Sequence, residues 1–511
     1  MINVILNIAD FEYDIYGIVK AFFSKEDIES YYTKDVDIQG KNVASTDHTE
    51  DKADPNALYT LYVNLDKAQN ILKFRFVEKE TNREISTEFE IYPDNRKKTK
   101  DTLKQNLYQL MVKVCGKELP WGTLTGIRPT KIPMKLLMEG KSEKEVYDDM
   151  KSKYLTSDEK INLSIEVAQQ EIEILKKIDY KNGFSLYIGI PFCPSTCLYC
   201  SFTSYPLSRW SKEVDRYLDA LEKEIDFTAE ACKDKVLNAV YFGGGTPTTL
   251  LPYQLDRLIK KVKSTFDMSN CVEFTVEAGR PDSITREKLE VLRDNGITRI
   301  SINPQTMKQE TLDLIGRHHT VEQTIESFKL ARELGFEDIN MDLIVGLPGE
   351  TIDDVRHTME VLKELQPDNV TVHSLAIKRA ARLTVFKDHY EKMKMINTGE
   401  HMRMCEKYCR EMGLKPYYLY RQKGMAGNME NVGYAKNGKS GVYNILIMEE
   451  KQTIMALGAG ASTKLVLDEF NSDGNRKIAR VENVKDIKNY LERVDEMIER
   501  KRSKMEEVKW H

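Results

Sequence analysis

Between residues 184 and 413 the chain alternates short apolar runs with longer stretches in which apolar residues recur every three or four positions. The short runs have the length of buried β-strands, and the longer stretches have the period of amphipathic helices. Six such strand–helix units in succession predict a parallel sheet with helices outside it, fewer than the eight units of a closed barrel. The predicted strands are residues 184–190, 237–242, 271–277, 299–304, 338–345 and 369–377.

Different patterns flank this repeat on both sides. The predicted flanking elements are strands at 57–65, 71–77, 85–92, 416–421 and 442–449, and helices at 99–115, 133–178 and 484–507. We therefore predict four domains. They are an N-terminal α+β domain (1–118), a helical connector (119–183), an α/β domain (184–413) and a C-terminal α+β and helical region (414–511).

The charge balance narrows the class of partner. The 511 residues include 76 basic and 81 acidic side chains and carry a net charge of −5, which argues against a general nucleic-acid binder. We find no apolar run of about 20 residues that would span a membrane, and no basic start of a signal peptide. The eight cysteines show no disulfide framework, so we predict a protein of the reducing cytoplasm.

Three cysteines stand within eight consecutive residues. Cys193, Cys197 and Cys200 follow the first predicted strand, on a turn that contains Pro191 and Pro194. Core packing fits them poorly, because prolines and polar residues separate them without a helix or strand period. A zinc site usually takes a second pair of ligands, and no such pair follows here. An iron–sulfur cluster remains, and three thiolates would leave one iron of a four-iron cluster open to another ligand.

Other distinctive residues also stand where predicted strands end. They are the Gly243–Thr246 turn after the second strand, Glu277 at the end of the third, and Asn303 and Gln305 at the end of the fourth. The carboxyl ends of parallel strands share one edge of a sheet, where α/β proteins place their chemistry. We therefore expect these residues to converge in space. Glycines often only make turns, however, and Glu277 could instead pair with Arg280 or cap a helix.

The spacing C-x3-C-x2-C after a strand resembles the cluster motif of the radical S-adenosylmethionine (SAM) superfamily. The flanking Y-I-G-I-P-F-C, residues 187–193, resembles the oxygen-independent coproporphyrinogen III oxidase group, which includes haem chaperones. The resemblance implies a 4Fe–4S cluster on the three cysteines, an open iron that chelates SAM, and cleavage of SAM to a 5′-deoxyadenosyl radical. It also implies the fold: α/β, a partial (βα)6 barrel with an N-terminal α+β domain and a C-terminal α+β extension.

The same resemblance gives roles to residues that match the family's SAM-binding positions. Gly244, Gly245 and Thr246 stand where backbone groups meet the amino group of SAM. Glu277 matches a carboxylate that binds the ribose hydroxyls, for which two acceptor oxygens are suited. These four residues and the cysteine stretch together imply one bound SAM.

A second SAM is implied by further matches. Gln305, Arg317 and Asp342 match positions that surround a second SAM in the oxidases, although Asp342 could equally form a structural pair with Arg317. The remaining matches are Tyr187 near the substrate or cofactor, Tyr199 through its backbone, and Ala376. Either tyrosine could instead only pack.

Two departures from the oxidase pattern bear on the activity. The oxidases carry a fourth cysteine two residues after the third, and this chain has Phe202 there, as the haem-chaperone relatives do. The chaperones' C-terminal histidine–asparagine haem motif, however, is not matched. Residues 121–132 and 417–434 resemble instead the HemZ-like branch, assigned as an oxygen-independent coproporphyrinogen dehydrogenase.

The resemblance favours an enzyme of haem biosynthesis that decarboxylates two propionates of coproporphyrinogen III to give protoporphyrinogen IX. Its partners would be the porphyrinogen and an electron donor for the cluster. The candidate cations for the propionates are Lys378, Arg379, Arg382 and Arg421. Two alternatives stay open: a haem-binding chaperone without turnover, and a radical SAM enzyme on another substrate, even an RNA, against which the acidic balance argues.

Several histidines and cysteines outside the motif have simpler interpretations. The adjacent His318 and His319 predict a surface pair, and Cys405 and Cys409, four residues apart on a helix, predict core packing. His373 ends a predicted strand at the presumed active edge. It is either catalytic or a buried histidine with satisfied hydrogen bonds.

Overall fold

A computed structural model describes residues 1–23, 27–33, 36, 49–126, 128–376, 394–421, 429–471 and 475–510 of the chain. They form two compact units, one of Met1–Pro129 and Lys135–Ile165, the other of Thr130–Met134 and Glu166–His511. Within those ranges we find no helix with the length and apolar character needed to cross a membrane.

The first unit contains a five-stranded sheet. Its strands are β1 (Ile2–Leu6), β2 (Ile28–Tyr32), β3 (Tyr59–Asp66), β4 (Ile71–Glu78) and β5 (Arg83–Glu90), in the order β2-β1-β3-β4-β5. β1 is parallel to β2 and β3, whereas β4 is antiparallel to β3 and β5. The helices α1 (Glu12–Phe22) and α2 (Arg96–Cys115) share one apolar core with the sheet, in which Ile18, Phe74 and Leu107 are buried.

The three antiparallel strands and α2 confirm the predictions for this region. Alternation is visible in β5 because every second residue is at least partly covered while its neighbours are exposed. β1 was not predicted, since all five of its residues are buried and no alternation results. Three further helices follow, within the region predicted to be helical: α3 (Lys131–Met138), α4 (Glu143–Tyr154) and α5 (Asp158–Leu175).

The second unit is built on a large sheet whose six central strands are parallel and lie side by side in sequence order. The strands of this region are β6 (Gly183–Ile190), the two-residue β7 (Phe192–Cys193) and β8 (Tyr205–Pro206), then β9 (Val236–Gly244), β10 (Glu273–Glu277), β11 (Arg299–Ser301), β12 (Ile339–Val345) and β13 (Asn369–Ser374). β7 and β8 form a separate two-stranded ribbon. The other six confirm the predicted strands, whose ends differ by a few residues.

Helices connect these strands and cover the sheet. They are α6 (Leu207–Trp210), α7 (Val214–Ala231), α8 (Pro252–Thr265), α9 (Arg286–Asp294), α10 (Gln309–Leu314), α11 (Val321–Glu333) and α12 (Ile352–Leu365). In α8 the buried residues include Leu255, Leu258, Ile259 and Val262, the spacing of one helical face turned to a core. The predicted α/β fold class is confirmed.

The C-terminal residues extend the same sheet at both edges. The elements are α13 (Gly399–Glu411), β14 (Lys415–Tyr420), β15 (Asn431–Ala435), α14 (Val442–Glu449), β16 (Thr453–Leu457), β17 (Ser462–Phe470), β18 (Arg476–Glu482), α15 (Ile487–Glu492) and α16 (Val494–Glu507). β16 adds parallel to β6 and is followed by β17 and β18, while β15 pairs antiparallel with β13 and is followed by β14. The four-domain division stays a prediction.

The strand predicted at residues 442–449 is wrong, because these residues form the helix α14. Glu273, on the neighbouring strand β10, accepts hydrogen bonds from the Val442 and Tyr443 N–H groups and so satisfies the first turn of the helix. A short apolar run does not distinguish a strand from a buried helix, so the prediction of a strand from this pattern alone was wrong. The predicted single helix 484–507 is also wrong, since β18 ends at Glu482 and α15 and α16 follow as separate helices.

A buried ion pair anchors the C-terminal helix α16 to α7. The Lys501 ammonium donates to the Glu224 carboxylate, and both side chains are fully buried. The same carboxylate accepts from the Gly458 N–H at 2.8 Å, so the pair also fixes the backbone after β16. Next to it the Tyr217 hydroxyl accepts from the Ala459 N–H at 2.9 Å and donates to the carbonyl of Gly189 at 2.7 Å. This network therefore also fixes the backbone near the carboxyl end of β6.

Candidate active site

The clustered cysteines lie on a loop, residues 191–206, that leaves the carboxyl end of β6 and is called here the cysteine loop. Cys193 pairs with Pro206 in the ribbon of β7 and β8, and the Leu198 N–H donates to the carbonyl of Ile315 at 2.9 Å. Contacts near both ends and near the middle of the cysteine loop therefore fix its position. Cys193 is buried, Cys197 and Cys200 are partly buried, and all three are free thiols.

The three thiols share one electrostatic environment. Burial, together with the charges of Cys200 and Cys197, raises the pKa of the Cys193 thiol to about 12, and the hydrogen bond from Thr246 opposes this shift. In the described part of the chain no three Cys, His, Asp or Glu side chains surround a point that would hold a single ion. A four-iron cluster does not require such convergence, because its iron and sulfide atoms lie between the thiolates.

The surroundings of the sulfur atoms fit a bound cluster. The Thr246 hydroxyl donates to the Cys193 sulfur at 3.6 Å, and the Arg280 guanidinium donates to the Cys197 sulfur at 3.5 Å. Both contacts stabilise negative charge on a thiolate ligand. At Gly245 a Cβ atom would lie 2.8 Å from the Cys193 sulfur, so only glycine leaves room beside that thiol.

The glycine turn after β9 packs directly on the cysteine loop. The Gly245 N–H donates to the carbonyl of Ile190 at 2.7 Å, and the Thr246 N–H to that of Phe192 at 2.8 Å. Gly244 has a φ of +109°, and a Cβ atom there would lie 2.9 Å from the Ile190 carbonyl oxygen. This turn therefore requires glycine at Gly244 for both its conformation and its close approach.

Aromatic rings and a carboxylate line one face of the sheet, called here the inner face. Tyr187 and Tyr241 are register partners on β6 and β9, and their rings stack at 6.3 Å. Tyr443 of α14 stacks on Tyr241 at 4.5 Å. The Tyr241 hydroxyl donates to Glu277 at 2.5 Å. The ion pair between Glu277 and Arg280 that the sequence left open is absent from the described contacts, since the Arg280 partner is Asp282.

Burial raises the pKa of the Glu277 carboxyl to about 7, and the nearby Asp342 charge adds to the shift, although the Tyr241 hydrogen bond opposes it. The group thus changes charge near neutral pH. A carboxyl that is poised in this way at the carboxyl end of a parallel strand is typical of a functional site.

Gln305, which follows the carboxyl end of β11, meets Asp342 in the middle of β12. Gln305 has a φ of +67°, an uncommon conformation for a residue other than glycine, and its N–H donates to the Asp342 carbonyl at 2.9 Å. Its buried side-chain oxygen has no hydrogen-bond partner among the described residues. Asp342 accepts from Asn340 at 2.7 Å and lies 3.6 Å from His373 Nε2. Asp342 therefore does not form the structural pair with Arg317 that the sequence left open.

Arg317 instead connects two backbone segments and the side chain of Tyr199. Its guanidinium donates to the carbonyls of Gly279 at 2.5 Å and Asn303 at 2.9 Å, and to the Tyr199 hydroxyl at 3.1 Å. Tyr199 therefore contributes its side chain to this region. Ala376, which also matches a position of the family, is partly buried and follows the end of β13.

The structure confirms some predictions for the histidines, cysteines and cations outside the cysteine loop and contradicts others. The predicted surface pair is wrong, because His318 is exposed but His319 is fully buried. Cys405 and Cys409 are fully buried, as core packing predicts. Arg421 follows β14 at the same edge of the sheet, where burial lowers its pKa to about 10 and the charge of Glu430 opposes the shift. The candidate cations Lys378, Arg379 and Arg382 lie outside the described residues.

Sequence reasoning missed three residues of this site. Tyr241 could have been found, since it stands two residues before the glycine turn on a strand that alternates faces. Tyr443 gave no such signal, because its segment was predicted to be a strand. Arg280 was considered only as a partner of Glu277, and nothing local indicates its contact with Cys197.

Comparison with known sequences identifies the class of protein. The sequence profile described as the Radical SAM superfamily matches residues 187–362, which contain the cysteine loop, the glycine turn and Glu277. The parallel α/β sheet and the three free thiols at its carboxyl edge agree with that match. The fold and the site therefore define a radical SAM protein.

Individual relatives place the chain more narrowly. It is 42% identical to the oxygen-independent coproporphyrinogen-III oxidase-like protein HemZ of Bacillus subtilis, over 81% of this chain and 82% of that protein. It is 32% identical to the heme chaperone HemW of B. subtilis, over 61% of this chain and 76% of that protein. The solved coproporphyrinogen III oxidase HemN of Escherichia coli gives a TM-score of 0.49 and 24% identity over 64% of this chain and 72% of that one. The chain belongs to the HemZ-like family of the radical SAM superfamily.

Membership of this superfamily brings a 4Fe–4S cluster and SAM as cofactors, as predicted. The donor set fits them, since three free thiols stand together with hydrogen-bond donors directed at two of their sulfur atoms. The residues that hold each cofactor, and the number of SAM molecules, stay predictions.

Proposed function

We propose that this protein catalyses the oxygen-independent oxidative decarboxylation of coproporphyrinogen III to protoporphyrinogen IX. The observation that carries the proposal is the meeting of the cysteine loop, the glycine turn and Glu277 at one carboxyl edge of a parallel sheet. The relationship to the coproporphyrinogen-III oxidase-like protein of B. subtilis supports the choice of substrate.

In this proposal Cys193, Cys197 and Cys200 hold the cluster and leave one iron open to SAM. Gly244, Gly245 and Thr246 line the SAM site beside it, and Glu277 accepts hydrogen bonds from the ribose hydroxyls. When bound, the cluster and SAM would supply a 5′-deoxyadenosyl radical, to which the propionate β-carbon would lose a hydrogen atom; carbon dioxide would then leave and one electron would pass to an external acceptor. Gln305, Arg317, Asp342 and Ala376 face a second SAM or the substrate, and the unpartnered oxygen of Gln305 supports a ligand at that position.

The other residues of the site bind and orient the substrate and exclude water from it. The stacked rings of Tyr187, Tyr241 and Tyr443 present flat apolar surface to a macrocycle on the inner face. The four propionates of the substrate require cations. Arg421 stays protonated at neutral pH despite its lowered pKa and is the described candidate for this role.

The test is an anaerobic assay of the reconstituted protein with SAM, a reductant and coproporphyrinogen III, with products identified by mass. We expect loss of two carboxyl groups with formation of 5′-deoxyadenosine, and loss of both products in Cys197→Ala. Cys115→Ala is the matched control, because Cys115 is a free thiol at the end of α2, outside the cysteine loop. SAM cleavage without a decarboxylated porphyrin would contradict the proposed substrate.

A haem carrier without turnover is the second candidate. Phe202 takes the place of the oxidases' fourth cysteine, and this residue of the cysteine loop is 70% exposed. The similarity to a heme chaperone also favours this function. Titration with haem that gives a stable, stoichiometric spectral change, together with no SAM-dependent porphyrin product, would establish the carrier and exclude the enzyme.

A further inference from the structure

Arg280 lies between the end of β10 and the cysteine loop and contacts that loop with its guanidinium group. Its Nη1 atom is 3.5 Å from the Cys197 sulfur and 3.4 Å from the carbonyl oxygen of Ser195. Its Nη2 atom donates to the Ser195 hydroxyl at 3.2 Å. The residue is only 4% exposed, so these contacts are shielded from water.

A second residue fixes the orientation of this guanidinium. Asp282 receives two hydrogen bonds, from Arg280 Nε at 2.9 Å and from Nη2 at 2.7 Å. This forked pairing uses the planar shape of arginine and cannot be reproduced by lysine. The Ser195 hydroxyl is held in turn, because it donates to the carbonyl of Gly316 at 2.8 Å. The N–H group that faces Cys197 is therefore oriented by the protein itself.

The direction of this contact gives it an electrostatic consequence. The Asp282 carboxylate binds the Nε and Nη2 side of the guanidinium, while Nη1 faces the sulfur, so the positive end of the ion pair is directed at Cys197. One-electron reduction of a cluster adds negative charge, part of which resides on its thiolate ligands. A hydrogen bond and a positive charge at the sulfur stabilise the reduced state more than the oxidised state, because the reduced cluster carries more negative charge. The effect is little screened by solvent, since the guanidinium is buried.

We propose that Arg280 is a positioning residue that raises the reduction potential of the cluster through its hydrogen bond to the Cys197 sulfur. The inference rests on the proposed cluster site and adds to it a control over how readily an electron donor reduces the cluster. Cys193 has a neutral donor, Thr246, at 3.6 Å, so the two sulfurs differ in the charge of their hydrogen-bond partners.

The experiment is a redox titration of the reconstituted full-length protein, without SAM, in which EPR measures the reduced cluster at set potentials. The main variant is the double change Arg280→Met with Asp282→Asn, which leaves the summed charge of the pair unchanged. At the wild-type midpoint we expect its ratio of reduced to oxidised cluster to be about tenfold lower, equivalent to about 59 mV for a one-electron couple. Arg280→Lys keeps a charge but loses the fork, and we expect a smaller decrease.

The matched control is Arg286→Met, because Arg286 is an exposed arginine of α9 that pairs with Glu333. Its ratio should equal that of the wild type. An unchanged ratio in both Arg280 variants, with iron and sulfide still bound, would overturn the inference. If the double variant binds no iron, Arg280→Lys decides alone, and an unchanged ratio again overturns it. Retention of the full cluster by Cys197→Ala would instead contradict the cluster assignment.

Discussion

Glu273 and Glu277 stand on the same face of the same strand, four residues and about 13 Å apart, at opposite ends of β10. Glu273, at the amino end, accepts hydrogen bonds from Val442, Tyr443 and Thr275, so that both its oxygens are engaged. Glu277, at the carboxyl end, accepts one hydrogen bond from Tyr241, and its pKa is raised to about 7. One carboxylate is saturated by the protein, and the other keeps acceptor capacity for a ligand.

The neighbouring strands repeat this contrast at their amino ends. Asp338 accepts from Arg299 at 3.1 Å and from Asn369 at 2.7 Å, and Arg299 donates further to the carbonyl of Lys439. These groups are paired mainly with one another. The arrangement stabilises the sheet, as expected at the end of parallel strands that is remote from chemistry.

The carboxyl ends of the same strands leave capacity open. The buried oxygen of Gln305 has no partner among the described residues, and Glu277 accepts a single hydrogen bond, from Tyr241. A site that must receive ligands cannot satisfy every polar group in advance. We therefore expect substitutions at the amino ends to affect stability and substitutions at the carboxyl ends to affect function.

The largest expected effect lies at the carboxyl edge. Replacing Cys200 by Ala should abolish cluster binding and reductive SAM cleavage, because one iron then lacks its thiolate. The free energy of unfolding of the apoprotein should change by less than about 1 kcal/mol, since the side chain is only partly buried. Iron and sulfide analysis and urea unfolding give the two numbers. A large loss of apoprotein stability would mean that the cysteine loop is also a structural element.

The reverse outcome is expected at the amino ends. Arg299→Met should lower the free energy of unfolding of the second unit by about 1.5–3 kcal/mol, because the partly buried Asp338 loses its charged hydrogen bond. The double variant with Asp338→Asn should lose less. SAM affinity of the folded fraction, measured by equilibrium dialysis, should not change. If affinity falls while stability holds, the two ends are not functionally separate.

Acid should destabilise the carboxyl edge through His319. Burial lowers the pKa of His319 from 6.5 to about 3, and the charge of Arg317 adds to this shift. Below pH 6.5 His319 therefore binds a proton in the unfolded chain but not in the folded chain, and the free energy of unfolding falls as pH drops. The slope is at most about 1.4 kcal/mol per pH unit. Urea unfolding of His319→Gln between pH 7 and pH 5 should lack this slope; an equal slope in both proteins would assign the acid sensitivity elsewhere.

The smallest effect concerns SAM binding and Glu277. Because its pKa is raised to about 7, the carboxyl is protonated at pH 6 and ionised at pH 8. An ionised carboxylate accepts hydrogen bonds from ribose hydroxyls better, so SAM affinity should rise with pH through this range, by at most about tenfold per unit. Glu277→Gln should bind SAM more weakly at pH 8 and lose the dependence. A pH dependence of the same size in Glu277→Gln and in the wild type would remove Glu277 from the role.

Much of the site was predictable because its signals are local. Cys193, Cys197 and Cys200 are adjacent in the chain, and the glycine turn and Glu277 directly follow apolar runs that mark strands. A parallel sheet brings such strand ends to one edge whatever their separation in sequence. The six strands were predictable for a related reason, since strands that are buried on both faces appear as continuous apolar runs.

The sequence by itself therefore determined the α/β class and the six parallel strands, and it predicted the three cysteines of the cluster site. Only the tertiary structure decided that residues 442–449 form a helix, that Tyr443 stacks on Tyr241, and that Arg280 faces a sulfur 83 positions away. The reason is physical. The periodicity of a segment shows which of its residues face solvent and which face the core. A contact between side chains that are distant in sequence depends instead on how helices and strands pack together, and no local pattern contains that information.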